Sequence, residues 1–190
     1  MPKRVVLRFV LVSMSALLCS SALLNIYFFQ KVRELSSALV ASGPLRVGKA
    51  VPALTLTKLD GKAAPIDYAD ADEGTVLYIF RPSCVWCRRN APSVRALVSQ
   101  ADRRYRFIAI CLGDAIEPPA ELQANFPIYF LSRQAASQLG FSATPQTLVL
   151  SRQGVVRRIW RGAFTGANLS DVENFFGVRL PDRLANSMVE

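Results

Sequence analysis

Cys84-Val85-Trp86-Cys87 places two cysteines where a buried strand gives way to a helix, and that junction constrains the fold of this 190-residue chain more than any other feature. Upstream, Thr75–Phe80 is a continuous apolar, β-rich run, the pattern of a strand covered on both faces. Arg81-Pro82-Ser83 ends it. Downstream, Ala91, Val94, Leu97 and Val98 recur at helical spacing and predict a helix from Cys84 to about Ser99, with Pro92 inside it. A cysteine at a helix start lies near unpaired backbone N–H groups and the positive end of the helix dipole. Both favour thiolate over thiol. Arg81, Arg88 and Arg89 add positive charge nearby. The second cysteine, one turn in, is within disulfide reach of the first.

Other uses of the pair fit less well. A bridge closing so small a loop removes little chain entropy and makes a poor structural staple. Zinc and iron–sulfur sites need more ligands than a single CxxC offers. The chain has no histidine, which excludes Cys-His nucleophiles, histidine-ligated zinc or copper and proximal-histidine haem. No metal and no cofactor is expected. Cys111 reads as a mid-strand core residue and Cys19 as a buried apolar residue of the N-terminal run.

The remaining pattern alternates strand and helix. Strands are expected near 54–57, at 107–112, 128–131, 146–150 and 155–160, the last two joined by Ser151-Arg152-Gln153-Gly154. Short helices are expected at 119–125 and 134–139. A terminal helix is expected at 169–176, started by Asn168 or Ser170 and closed by Gly177. This order predicts an α/β fold with a parallel core, a hairpin edge and helices on both sheet faces. Pro145 stands directly before a central strand, where a proline lacks a ladder donor. It reads as a cis-proline turn that exposes the Thr144 backbone to an extended substrate segment.

Phe9–Phe29 carries no charge, is long enough to span a bilayer, follows Lys3, Arg4 and Arg8, and ends in Tyr27-Phe28-Phe29. It reads as an N-terminal transmembrane helix that leaves the remainder outside the cytoplasm. A cleaved signal peptide is the alternative; Leu23–Phe29 continuing the apolar run past Ser20-Ser21-Ala22 weighs against it. More than half of the net charge of +9 lies in residues 1–46, around this run, so the folded part carries no nucleic-acid footprint. The expected organisation is an anchor at 1–30, a tether at 31–46, a folded domain at 47–180 and a C-terminal tail at 181–190.

Gly48-Lys-Ala-Val-Pro52, Leu59-Asp-Gly-Lys62, Phe80-Arg-Pro-Ser-Cys-Val-Trp-Cys87, Asn90-Ala-Pro92 and Ala143-Thr-Pro145 together resemble the thioredoxin superfamily. Within it they resemble the membrane-tethered thiol-disulfide oxidoreductases of the TlpA/ResA type. The resemblance covers residues 47–177. It implies a thioredoxin-like fold, a catalytic Cys84/Cys87 dithiol, and substrate contacts at Thr144, Pro145, Val85 and Trp86. It also implies exported proteins with cysteine thiols or disulfides as substrates, apocytochrome c cysteines among them, and a membrane electron-transfer partner for recycling. The periplasm is the implied compartment and reduction of substrate the favoured direction. The chain departs from the family in having Val85-Trp86 between the cysteines, without the usual proline, and Asn90 where members often carry Glu. With no acid in the motif, Asp67 or Asp70 is the candidate proton acceptor. A non-catalytic thioredoxin-fold binding module offering its cis-proline face to a partner is the alternative.

Overall fold

The computed structural model describes residues 13–14, 17–32, 45–113, 126–141 and 143–181. The chain forms two compact units, residues 1–40 and 41–190. In the first, residues 17–32 form helix α1. Its side chains are exposed all round, Leu17, Leu23 and Phe29 by more than 60%. Cys19 is exposed on it, against the expected burial. Among the described residues no helix is long and apolar enough to cross a membrane. Several residues of the Phe9–Phe29 run, most of the expected tether, the expected helix at 119–125 and the C-terminal tail from residue 182 lie outside the described residues.

The second unit is built on a seven-stranded mixed sheet in the order β2-β1-β5-β4-β3-β6-β7. The strands are β1 Leu54–Thr57, β2 Ala63–Ile66, β3 Gly74–Phe80, β4 Tyr105–Leu112, β5 Ile128–Leu131, β6 Gln146–Leu150 and β7 Val156–Arg161. β3, β4 and β5 are parallel, and β6 and β7 run antiparallel beside them as a hairpin. β3 is buried at every position, as its unbroken apolar run requires. β2 was not legible as a strand. Ala63-Ala64-Pro65-Ile66 lacks β-branched residues apart from Ile66, and Pro65 reads as a breaker. At the sheet edge that proline leaves no ladder bond unmade.

Helices cover both faces. α2 (Val85–Gln100) and α4 (Gly166–Phe176) close one face, where Ala91, Val94, Leu97 and Val172 pack on Val76, Tyr78, Phe80 and Val149. α3 (Arg133–Leu139) lies on the other, where Ala136 joins Leu77, Ile79, Ile108, Ile110 and Leu148. Each fully buried aliphatic side chain contributes about 1.5–3 kcal/mol relative to exposure. Leu45, expected at the end of the tether, is buried in this second core, and Arg161 donates to its carbonyl at 2.7 Å. α4 starts earlier than the sequence suggests. Thr165 precedes its first turn, and Gly166 opens it despite glycine's low helix propensity. Asn168 instead donates to the Arg161 carbonyl at 2.8 Å, tying the helix back to β7.

Candidate active site

Three segments meet at one end of the sheet. β3 ends at Phe80, and the chain crosses Arg81-Pro82-Ser83 into α2. β6 runs antiparallel to β3, so its first residue, Gln146, sits opposite Ile79 and brings Ala143-Thr144-Pro145 to the same end. The end of β7 arrives there as well, Gly162 N–H donating to the Pro145 carbonyl at 2.8 Å. The site is thus a consequence of strand order: a parallel pair and an antiparallel hairpin deliver a helix start and a turn to one place.

Cys84 is the N-cap of α2, and Cys84 and Cys87 form a disulfide with Cα atoms 5.2 Å apart. Cys84 is half-buried, whereas Cys87 is 1% exposed. The Cys87 backbone N–H donates to Cys84 Sγ at 3.1 Å. That N–H is shared with the Cys84 carbonyl, also at 3.1 Å, and together with the positive end of the dipole it holds the sulfur as thiolate once reduced. The Thr144–Pro145 bond is cis, as expected. The Thr144 carbonyl oxygen lies 3.6 Å from Cys84 Sγ. Val85 and Trp86 stand outward, 48% and 47% exposed, and Arg89 lies over the Trp86 ring at 5.4 Å. The structure therefore brings Cys84, Cys87, Thr144, Pro145, Val85 and Trp86 together.

Neither Asp67 nor Asp70 belongs to this site. Asp67 accepts the Ala69 N–H as the cap of a single 3-10 turn, and Asp70 pairs with Arg106 at 2.9 Å. Both are exposed and precede β3, at the far end of the sheet from the cysteines. The floor of the site is formed by the end of β3 and the first turns of α2. Neutral groups fill that floor. The Tyr78 hydroxyl donates to the Cys87 carbonyl at 3.5 Å, and burial holds that hydroxyl well above the usual tyrosine range. Tyr78 read only as a strand residue, because its pairing with Cys87 depends on α2 folding back over β3. Asn90, fully buried, accepts the Phe164 N–H at 2.9 Å and so ties α2 to the chain after β7. Asn90→Leu leaves that buried donor without a partner and should lower stability by about 1–3 kcal/mol in urea unfolding; an unchanged midpoint would show the bond to be dispensable.

Cys111, opposite Phe80 on β4, is fully buried. Burial pushes its thiol up to about 11 from 9.0. The unfolded chain releases this proton at lower pH than the folded one. The contribution to stability is therefore complete below about pH 9 and falls as pH rises, by at most about 1.4 kcal/mol per unit. With Cys84 and Cys87 kept oxidised, Cys111→Val should lose stability less steeply than the parent between pH 9 and 11. Equal slopes would remove Cys111 as a source of the alkaline loss.

A helix-capping CxxC facing a cis-proline turn on a mixed sheet defines a thioredoxin-type fold and site. The chain belongs to the Redoxin family, whose model matches residues 46–175. Solved structures with this fold include a protein assigned as a disulfide isomerase from Bacteroides thetaiotaomicron, at 15% identity and TM-score 0.58, covering 75% of this chain and 95% of that one. A protein assigned as the thiol:disulfide interchange protein DsbE from Chlorobium tepidum matches at 20% identity and TM-score 0.54, covering 69% and 93%. A secreted Mycobacterium tuberculosis disulfide oxidoreductase homologous to Escherichia coli DsbE matches at 18% and 0.51, covering 65% and 94%. These likenesses show that the chain shares the thioredoxin-like fold. No curated protein matches the chain.

Proposed function

We propose that the protein is a membrane-anchored, extracytoplasmic thiol-disulfide oxidoreductase that reduces disulfides of exported proteins through Cys84 and Cys87. The observation that carries this reading is the half-buried Cys84 Sγ at the start of α2, with the Cys87 N–H 3.1 Å away and the Thr144 carbonyl 3.6 Å away. In the reduced protein, Cys84 thiolate attacks one sulfur of a substrate disulfide. The substrate S–S bond breaks, and its departing sulfur leaves as thiolate and takes up a proton. Cys87 then loses its proton and attacks Cys84 Sγ, breaking the mixed disulfide and releasing the second substrate thiol. The substrate gains two electrons and two protons, and the protein is left as the Cys84–Cys87 disulfide. A dithiol on a membrane electron-transfer partner returns it to the reduced state by the same exchange in reverse. Thr144 and Pro145 hold the extended substrate segment beside Cys84, and Val85 and Trp86 cover it.

Anchoring is supported by the uncharged Phe9–Phe29 run and by α1, whose leucines and aromatics are exposed on every side. Exposed leucines and aromatics of this kind are costly in water and favourable in a bilayer. Apocytochrome c cysteines are a fitting substrate, being exported thiols that must be reduced before haem attachment. Membrane fractionation with thiol labelling by an impermeant reagent tests the placement. The proposal expects the intact chain in the membrane fraction and Cys84 labelled from outside. A soluble chain, or labelling only after lysis, would contradict it.

A further inference from the structure

We propose that the rim of the site made by Val85, Trp86, Arg88 and Arg89 selects acidic substrate segments, those whose cysteine is flanked by Asp or Glu beside an apolar residue. This rests on the exchange activity proposed above and names its substrate class.

Among the described residues of the folded unit, charge is segregated. Arg88 and Arg89 are exposed, and Arg81 is half-buried at the end of β3. None of the three forms an ion pair among the described residues. From Gly74 to Ala101, the strand and helix that carry the cysteines contain four arginines and no acid. Among the described residues, the acids that form ion pairs beside β3 and β4 do so elsewhere. Glu73 and Asp102 pair with Arg104, and Asp70 pairs with Arg106, all where β3 and β4 begin. Asp171 on α4 accepts the Trp160 indole N–H at 2.7 Å.

The arginines also sit where helix physics disfavours them. Cations in the first turns of a helix oppose its dipole, and acids there would stabilise it. The first turn of α2 has no acid. The helix dipole therefore accounts for neither Arg88 nor Arg89, and the local gain at Arg89 is its place over the Trp86 ring. Arg89 stacks on Trp86 and leaves about half of that side chain open to solvent, next to the disulfide. The result is an apolar shelf edged with unpaired guanidinium groups. A carboxylate docking there accepts paired N–H donors while its apolar neighbour covers the indole. A basic segment meets repulsion at the same place.

Two short disulfide peptides, identical except for Glu or Lys flanking the cysteines, provide the test with the reduced full-length protein in neutral detergent. The acidic peptide should oxidise the Cys84/Cys87 pair about tenfold faster at low ionic strength, with the gap closing as salt is added. The ratio of the two rates is the readout, so a change in intrinsic thiol reactivity cancels. In the Arg88→Glu/Arg89→Glu variant the order should reverse. The Arg88→Gln/Arg89→Gln variant, which adds no charge, should react equally with both. Equal rates with the parent protein, or a preference that survives both substitutions, would overturn the proposal. Bis(2-hydroxyethyl) disulfide is run alongside. If neither it nor either peptide reacts, the exchange activity itself fails; if it reacts and the peptides are not distinguished, only the substrate class fails.

Discussion

Cys84→Ser is expected to abolish disulfide exchange, lowering the rate by about a thousandfold or more, because a serine hydroxyl stays protonated where the cysteine thiol ionises. Cys87→Ser should behave differently. Cys84 is half-buried at the helix cap, and the attack on substrate still proceeds. With Cys87 removed, no second thiol resolves the product, because Cys111 is buried on β4 with its proton held by burial. Mixed disulfides should therefore accumulate with Cys87→Ser and not with Cys84→Ser, as seen on non-reducing gels of cells expressing each variant. Equal trapping by both would reverse or dissolve the assignment of attacking and resolving thiols.

Phe80→Ala carries the largest expected loss of stability. Phe80 ends β3 directly beneath the site, has no exposure, and stacks with Tyr78 at 5.9 Å between centroids, 16° from parallel. It shares a cluster with Cys87, Ala91 and Cys111, and through them supports the first turns of α2. Removing a buried phenyl ring costs about 3–5 kcal/mol, since the lost transfer energy is joined by the cavity left behind. Against a usual total of about 5–15 kcal/mol, that is a large share. Urea unfolding should show a lower midpoint with an unchanged slope. A loss below about 1 kcal/mol would mean that the neighbouring side chains refill the space and that Phe80 does not support the site.

What the sequence reveals of this protein follows from how locally each feature is encoded. β3 and α2 are legible because their patterns are long and their boundary is marked by Arg81-Pro82-Ser83 and by a cysteine that caps the helix itself. The Cys84/Cys87 pair and the Thr144-Pro145 turn are legible for the same reason, each being a short motif next to a strand. β2 is hidden because an edge strand tolerates a proline that a central one does not. The start of α4 is misread because Gly166 is a poor helix former that the surrounding structure holds in the first turn. The floor of the site is the least legible part. Tyr78 reaches Cys87, and Asn90 reaches Phe164, only after the helix and the β6–β7 hairpin have packed on β3. That same packing leaves Asp67 and Asp70 at the opposite end of the sheet.

The central claim is that Cys84 and Cys87 are a redox couple, and equilibration in glutathione buffers of graded potential tests it most directly. After acid quenching, alkylation and mass measurement give the reduced fraction at each potential, with Cys19 and Cys111 replaced by alanine so that only the pair is counted. The account predicts a single two-electron transition between the fully reduced and fully oxidised forms, with a midpoint in the range of about −270 to −120 mV spanned by thiol-exchange proteins. A pair that stays oxidised at potentials below about −300 mV, as structural disulfides do, or that is never oxidised at any poise, would contradict it.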